Sequence, residues 1–269
     1  MSAELLVAWG DVVTLTLSNP GRANSVTPAL VTDMARAFRR ADQDDAVRAV
    51  ILTGEGRFFC AGADLADMRE IFASRGIDAA VDYMVEVWMP SVQRASLAIR
   101  NCSKLTVAAV NGAATAGGLD FALACDYTLA VPEAKVGESY VNLGLLPVAA
   151  GVEHLLRRLP PGLARRVLLG GKVATAAELG LFDQLVEPGE LMQAARDLAA
   201  ELTAAPRATR QQYAAAFRLA DSGYEQQLAH ALHANAMLLQ DSDVRVRLAQ
   251  ILADDPGAAG RDDTGRSSR

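Results

Sequence analysis

The sequence predicts an α/β fold with a helical layer added at its C-terminal end. Three observations predict it. As far as Ala130, short apolar runs alternate with segments of helical period. Glycine-rich turns follow two of those runs, at Thr53–Leu65 (TGEGRFFCAGADL) and at Asn111–Gly118 (NGAATAGG). Beyond Val152 almost every segment has helical period. Strand, turn and helix in repetition argue for a parallel sheet covered by helices.

Val12–Leu17 (VVTLTL) alternates apolar residues with Thr and reads as a half-buried strand, ended by Asn19-Pro20-Gly21. Thr27 reads as a helix N-cap with Pro28 at the first helical position. Leu30, Met34, Ala37 and Phe38 carry that helix to about Ala41. Ala49–Thr53 is a short apolar strand broken by Gly54 and Gly56. Helix resumes near Ala66, breaks at Ser74-Arg75-Gly76, and runs again from Ile77 to Asn101, with Pro90 expected to kink or break it. Leu105–Val110 is a buried strand ended by Asn111-Gly112. Gly117 to about Cys125 is a helix, and Tyr127–Ala130 the next strand. Ala134–Pro147 reads as a short strand, a loop and a helical turn. Helices are expected over 152–159, 163–169, 174–179, 191–202, 208–219, 224–239 and 244–252, with a last short strand within Leu181–Val186. Residues 255–269 are polar and Gly-rich, and a disordered tail is expected there.

Half of the 269 residues are apolar and few are aromatic, so Ala, Leu and Val can build a sizeable core. The net charge of −6 and the absence of a basic stripe argue against a nucleic-acid surface. Cys60, Cys102 and Cys125 form no CxxC pair and have no His at ligand spacing, so neither a disulfide nor a metal site is expected, and a reducing cytoplasm fits. No leader segment and no membrane span is expected.

The turns carry the chemistry. A Gly/Ala turn after a buried strand leaves backbone N–H groups unpaired and uncovered. Ala61-Gly62-Ala63 is one such place. Ala116-Gly117-Gly118 is another, at a helix start where free N–H groups and the dipole favour negative charge. Two such N–H groups converging on one oxygen would make an oxyanion hole. A single such turn would be no more than close packing; the pair, with its flanks, is more specific. AVILTGEGRFFCAGADL, followed by KLTVAAVNGAATAGGLDFALACDYTLA, resembles the crotonase (enoyl-CoA hydratase/isomerase) superfamily. SNPGRANSVT and AKVGESYVNLGLLPVAAG extend the resemblance from about Val12 to Val186.

That resemblance implies a crotonase-like spiral of ββα units with a C-terminal helical layer, assembled as a homotrimer or homohexamer. It divides the chain into a core over residues 1–190, a trimerisation or cover segment over 191–254 and the tail over 255–269. It implies an acyl thioester of CoA or of a carrier's phosphopantetheine as substrate, and no further cofactor. Motif matching gives the oxyanion donors to the N–H groups of Ala63 and Gly117. The thioester pocket would include Ala61, Gly62, Asp64 and Leu65; Arg22, Ala23 and Ser25 would lie near the nucleotide end of CoA.

The sequence also departs from the family pattern. Where hydratases of the family carry two glutamates, this chain has Asp120 and Tyr140. Asp120 lies in the first helical turn after Gly117, on the donor's side, and is the acid–base candidate; a helix-start carboxylate favouring the dipole is the plainer reading. Tyr140 cannot be a carboxylate base, but a phenol with pKa about 10 can donate a hydrogen bond or simply line a pocket. Glu138 is a second acid–base candidate, although a solvated Glu is the more ordinary reading. It points with Tyr140 if Ser139–Val141 is extended and away from it if helical. His230 and His233, one helical turn apart, read as a solvated pair rather than a site, and His154 as a surface residue. Cys60 reads as a small apolar wall. Tyr83, Trp88 and Met89 could line an acyl pocket or pack in the core. Hydration, dehydration or double-bond isomerisation is the leading expectation. Decarboxylation or thioester hydrolysis on the same fold, and a non-catalytic acyl-thioester binder, are the alternatives.

Overall fold

A computed structural model of the chain describes residues 3–220 and 223–253, so the expected tail lies outside the described residues. Two sheets form. The larger holds β1 (Glu4–Ala8), β2 (Val12–Ser18), β3 (Ala49–Gly54), β5 (Leu105–Val110), β7 (Tyr127–Ala130) and β10 (Gln184–Leu185), in the order β1-β2-β3-β5-β7-β10. From β2 onward its pairings are parallel; β1 alone runs antiparallel, at the edge. The smaller holds β4 (Phe58–Cys60), β6 (Ala113–Thr115), β8 (Lys135–Gly137) and β9 (Ala174–Thr175), in the order β4-β6-β8-β9.

The two sheets are built together. β3 leads to β4 and the helix Leu65–Arg75; β5 leads to β6 and the helix Gly117–Leu123; β7 leads to β8, the 3₁₀ turn Tyr140–Leu143 and the helix Gly151–Arg158. The expected ββα units are therefore present. Strands of two or three residues are too short to show a period, which is why β4 and β6 read as turns; β8 is the short strand expected after Ala134. β1 was missed for another reason: its side chains are exposed or half-buried along its length. Thr175 caps the helix Ala176–Leu179 through a capping box with Glu178, so the segment expected to be helical from Ala174 opens as β9. Every residue of β3 is buried, and Leu15, Leu17, Ile51, Leu52, Phe38 and Phe59 are fully enclosed in the core between sheet and helices. Burial of such side chains contributes about 1.5–3 kcal/mol each.

Pro90 neither breaks nor sharply ends its helix. A π-helical turn, Met84–Trp88, runs directly into the helix Met89–Arg100 and falls just before Pro90, so the helix passes the proline through a local π-bulge rather than a break. Trp88 and Met89 are buried in the core, and Tyr83 packs under the Arg75 guanidinium at 4.4 Å.

The C-terminal helices Leu191–Leu202, Arg207–Ala220, Tyr224–Leu238 and Ser242–Ala253 follow. The buried Asn235 accepts from Leu146 N–H at 2.9 Å and donates to Leu146 C=O at 3.1 Å. Gln93 donates to the carbonyls of Val148 at 3.2 Å and Leu228 at 2.7 Å. These amides hold the 145–150 loop between the helix Met89–Arg100 and the C-terminal layer. No helix among the described residues is long and apolar enough to cross a membrane.

Candidate active site

Backbone contacts aim the first turn. Val26 forms an isolated parallel bridge with Ala63. Val26 N–H donates to Gly62 C=O at 2.8 Å and Asp64 N–H to Val26 C=O at 3.0 Å, so the Ala63 N–H stays outside the bridge. Ala61 N–H donates to Ala23 C=O at 3.0 Å. Ala23 and Asn24 both have left-handed φ (51° and 54°), a conformation that Asn adopts readily. Sequence reasoning missed Asn24. It is fully buried, donates to the carbonyls of Glu55 and Phe58 and accepts from Asn19 N–H, which ties the 19–26 loop to the turn. Asn111 does the same between β3 and β5, donating to the carbonyls of Gly54, Gly56 and Phe58. The available signal for both is a polar residue beside a turn; nothing local says that it is enclosed.

The second turn carries backbone strain. Ala116, at φ 47° and ψ −126°, is a non-glycine residue at positive φ immediately before the helix Gly117–Leu123. Its N–H is taken by Gly137 C=O and its C=O by Asp120 N–H, both at 3.0 Å. The N–H groups of Gly117, Gly118 and Leu119 precede the first intrahelical bond and are the open donors of the helix start. The two turns touch. A Cβ added to Gly62, itself at φ +88°, would stand 3.4 Å from the Gly117 nitrogen, and a Cβ on Gly118 would stand 2.0 Å from Cys60 C=O. Thr115 Oγ1 donates to Ala61 C=O at 3.1 Å. The structure thus brings Ala61, Gly62, Ala63 and Gly117 together.

Asp64 and Arg22 lie on the outer side of the first turn. Asp64 caps the helix Leu65–Arg75 through Ala66 and Asp67 N–H, pairs with Arg22 at 2.8 Å and accepts from Asn19 at 3.2 Å. Burial alone would raise its pKa, but the Asp67 N–H and Arg22 outweigh that and hold the carboxyl below its usual range. Ser25 is buried and its carbonyl accepts from Asn19, whereas Leu65 is half exposed at the helix start.

Asp120 lies fully buried under the second turn. Tyr140 Oη donates to its Oδ2 across 3.4 Å, and its Oδ1 has no hydrogen-bond partner. Tyr140 Oη also stands 3.2 Å from where a Cβ on Gly117 would be. Burial pushes the Asp120 carboxyl up to about 7, with Glu138, the Ala149 backbone and Tyr140 beside it limiting the rise. Burial and the neighbouring carboxyls also push the Tyr140 phenol well above its ordinary value, so at neutral pH it is a donor.

Glu138 differs from the ordinary expectation of a solvated side chain: it is 1 % exposed and neither carboxyl oxygen has a hydrogen-bond partner. The Ser139–Val141 segment is a 3₁₀ turn rather than a strand, yet Glu138 and Tyr140 both reach Asp120. They do so because Glu138 follows directly on the end of β8 and Tyr140 opens the turn. Glu138 and Tyr140 also line a cavity of about 360 Å³ whose other walls are mostly apolar, among them Leu145, Leu146, Val152 and Leu168, with Arg165 contributing a charge.

His154 corrects the surface expectation. It is buried in a separate cleft of about 170 Å³ with Arg100, Asp126, Arg157 and Arg158, and burial with those arginines drives its pKa down to about 3. His230 and His233 are exposed. Cys60 is buried, and its thiol is pushed up to about 12, which suits a wall and not a nucleophile. Among the described residues no group of three or more His, Cys, Asp and Glu is placed to hold a metal ion.

Two turns from successive ββα units offering N–H groups, with a buried carboxyl below one of them, agree with the wider comparison. The sequence matches the family described as enoyl-CoA hydratase/isomerase across residues 9–245. The chain belongs to that family. The short-chain-enoyl-CoA hydratase of Clostridium acetobutylicum is 31% identical over 72% of this chain and 73% of its own length. An enoyl-CoA hydratase/isomerase of Mycobacterium paratuberculosis superposes with a TM-score of 0.79 at 26% identity, covering 93% of this chain and 99% of that one. For an enoyl-CoA hydratase of Bacillus halodurans the TM-score is 0.81 at 25% identity, over 91% and 99%. The fold is the crotonase-like spiral, and the protein is an enoyl-CoA hydratase/isomerase-family enzyme.

Proposed function

We propose that the enzyme adds water to, or removes it from, an enoyl or 3-hydroxyacyl thioester through an enolate. The N–H groups of Ala63 and Gly117 hold the thioester oxygen, where negative charge develops. Asp120 moves the proton, and Tyr140 holds one oxygen of that carboxyl. The observation that carries this reading is the Asp120 carboxyl: fully buried, raised to about 7, and one helical turn from Gly117. A general acid–base group works best with a pKa near the working pH, and fixed donors in a dry site stabilise an oxyanion strongly. The thioester is delivered by CoA or a carrier's phosphopantetheine, with its nucleotide end beside Arg22, Ala23 and Ser25 and its thioester against Ala61, Gly62, Asp64 and Leu65. No further cofactor is needed, since the reaction moves only a proton and water. The core spans residues 1–190, and the helices of 191–254 cover the site and assemble copies into a homotrimer or homohexamer in the cytoplasm.

The test is turnover of crotonyl-CoA and longer enoyl-CoA esters by the full chain and by Asp120→Asn. General acid–base groups contribute about 10²–10⁴-fold, so kcat should fall within that range while KM changes little. Unchanged turnover in the variant overturns the assignment. Release of CO₂ or free CoA from malonyl, glutaconyl or 3-hydroxyacyl thioesters would replace it with decarboxylation or hydrolysis. Tight binding of CoA esters with no product would leave a non-catalytic binder.

A further inference from the structure

We propose that Glu138 and Asp120 hold one proton between them and act as the acid–base pair of the site, Glu138 supplying from just after β8 the second carboxyl absent at position 140. The proposal rests on the hydration reading above. It begins from three unpartnered oxygens: Asp120 Oδ1 and both carboxyl oxygens of Glu138 are buried without a hydrogen-bond donor. The two groups face each other across a slot left by Gly151. A Cβ there would lie 2.4 Å from Asp120 Oδ1 and 2.8 Å from Glu138 Oε1. Two ionised carboxylates accept but cannot donate, so neither could satisfy the other, and their like charges would repel in a dry setting. One proton changes this: the protonated carboxyl donates to the ionised one, and the pair then carries a single charge. Tyr140 faces the pair from the 3₁₀ turn, and Arg165 lines the same cavity from the helix Pro161–Gly170. Burial raises both carboxyls above their ordinary values, Glu138 further pushed by the Asp120 charge, so the pair keeps one proton between its members.

The singly protonated pair suits addition of water. As the water oxygen bonds to Cβ, one of its protons passes to the ionised carboxyl, and the C=C electrons move toward the thioester to form the enolate. The enolate then collapses, and Cα takes the proton of the other carboxyl. One C–O and one C–H bond form, one water O–H bond breaks, and the thioester oxygen returns to a carbonyl. The proton has moved from one carboxyl to the other, and transfer across the contact resets the pair. Activity should therefore fall on the acid side as the pair takes up a second proton and on the alkaline side as it loses the shared one.

Glu138→Gln tests this in the full chain, because the amide keeps the volume and one donor but cannot exchange a proton. The expected result is a kcat lower by about 10²-fold or more with KM little changed. The alkaline limb of the pH profile should vanish, and the acid limb should move to lower pH because the amide favours ionised Asp120. Infrared difference spectra give a readout independent of turnover: the wild type should show a protonated carboxyl at neutral pH, and Glu138→Gln should lack it. Wild-type turnover in Glu138→Gln, or no protonated carboxyl in the wild type, overturns the proposal. If no enoyl thioester is turned over but the infrared band is present and lost in the variant, the hydration reading fails and the shared proton stands.

Discussion

Two aspartates follow the two glycine turns, in the same kind of unit, and their surroundings are opposite. Asp64 is fully served: two backbone N–H groups, the Arg22 guanidinium and the Asn19 amide all donate to it. Asp120 is nearly unserved, with one long contact to Tyr140 and one orphan oxygen. Both are buried, so burial does not distinguish them; the supply of donors does. The served carboxyl has a lowered pKa and fastens a helix start, whereas the unserved one is raised to about 7 and is free to trade a proton. A glycine turn in this fold thus becomes structural or catalytic according to what the chain packs beneath it.

The strongest test of that contrast is stability against pH. In the unfolded chain Asp120 ionises near its ordinary value, and in the fold only near 7. Between those values the native state binds more protons than the unfolded one, so stability falls as pH rises; Glu138, also raised, extends the fall. The Asp120→Asn/Glu138→Gln double variant has no charge to bury. It should match the wild type near pH 4 and exceed it at pH 8 by on the order of 3 kcal/mol, measured by urea unfolding at several pH values. Parallel stability curves would mean that the pair is better served with donors than its geometry suggests.

Gly151→Ala presses on the same slot from the other side. Its Cβ would fall within 3 Å of Asp120 Oδ1, Glu138 Oε1 and Pro147 Cβ, so the carboxyls must move. Gly151 needs no left-handed backbone, so the effect is one of space alone. A displacement of that kind costs about 10²-fold in kcat. Stability should drop by about 1–3 kcal/mol from overpacking. Acyl-CoA binding that weakens as much as kcat would shift the effect from the carboxyls to the pocket wall.

The legible part of the protein was local. The apolar runs of β3 and β5, the Thr27-Pro28 helix start and the paired turns announce themselves within a few residues, and Asp120 follows from its spacing to Gly117. Glu138 is legible as a candidate, but its burial and that of His154 were hidden because they are decided elsewhere. Gly151 and the 145–150 loop enclose Glu138, while His154 sits among Glu153, Arg157 and Arg158 and therefore reads as surface. Asn24 and Asn111 were missed on the same ground, since their partners lie more than 30 and 50 residues away in sequence.

The smallest expected effect belongs to Asp64, and its sign completes the contrast. Asp64→Asn keeps an oxygen that can cap Ala66 and Asp67, since Asn is as good an N-cap as Asp. What is lost is the charge opposite Arg22, whose side chain is 53% exposed, so solvent screens most of the attraction. The destabilisation at neutral pH should be on the order of 1 kcal/mol or less. Because the folded pKa of Asp64 is lowered, its contribution is present above the ordinary carboxylate value and is lost as pH falls through the folded one. The deficit of Asp64→Asn should therefore shrink toward acid pH, whereas the gain of the Asp120→Asn/Glu138→Gln variant grows toward alkaline pH. Turnover should stay within a few-fold of wild type, because the bridge from Val26 that aims the first turn is made of backbone alone. A loss of turnover in Asp64→Asn as deep as that in Asp120→Asn would show that the first aspartate also takes part in the chemistry.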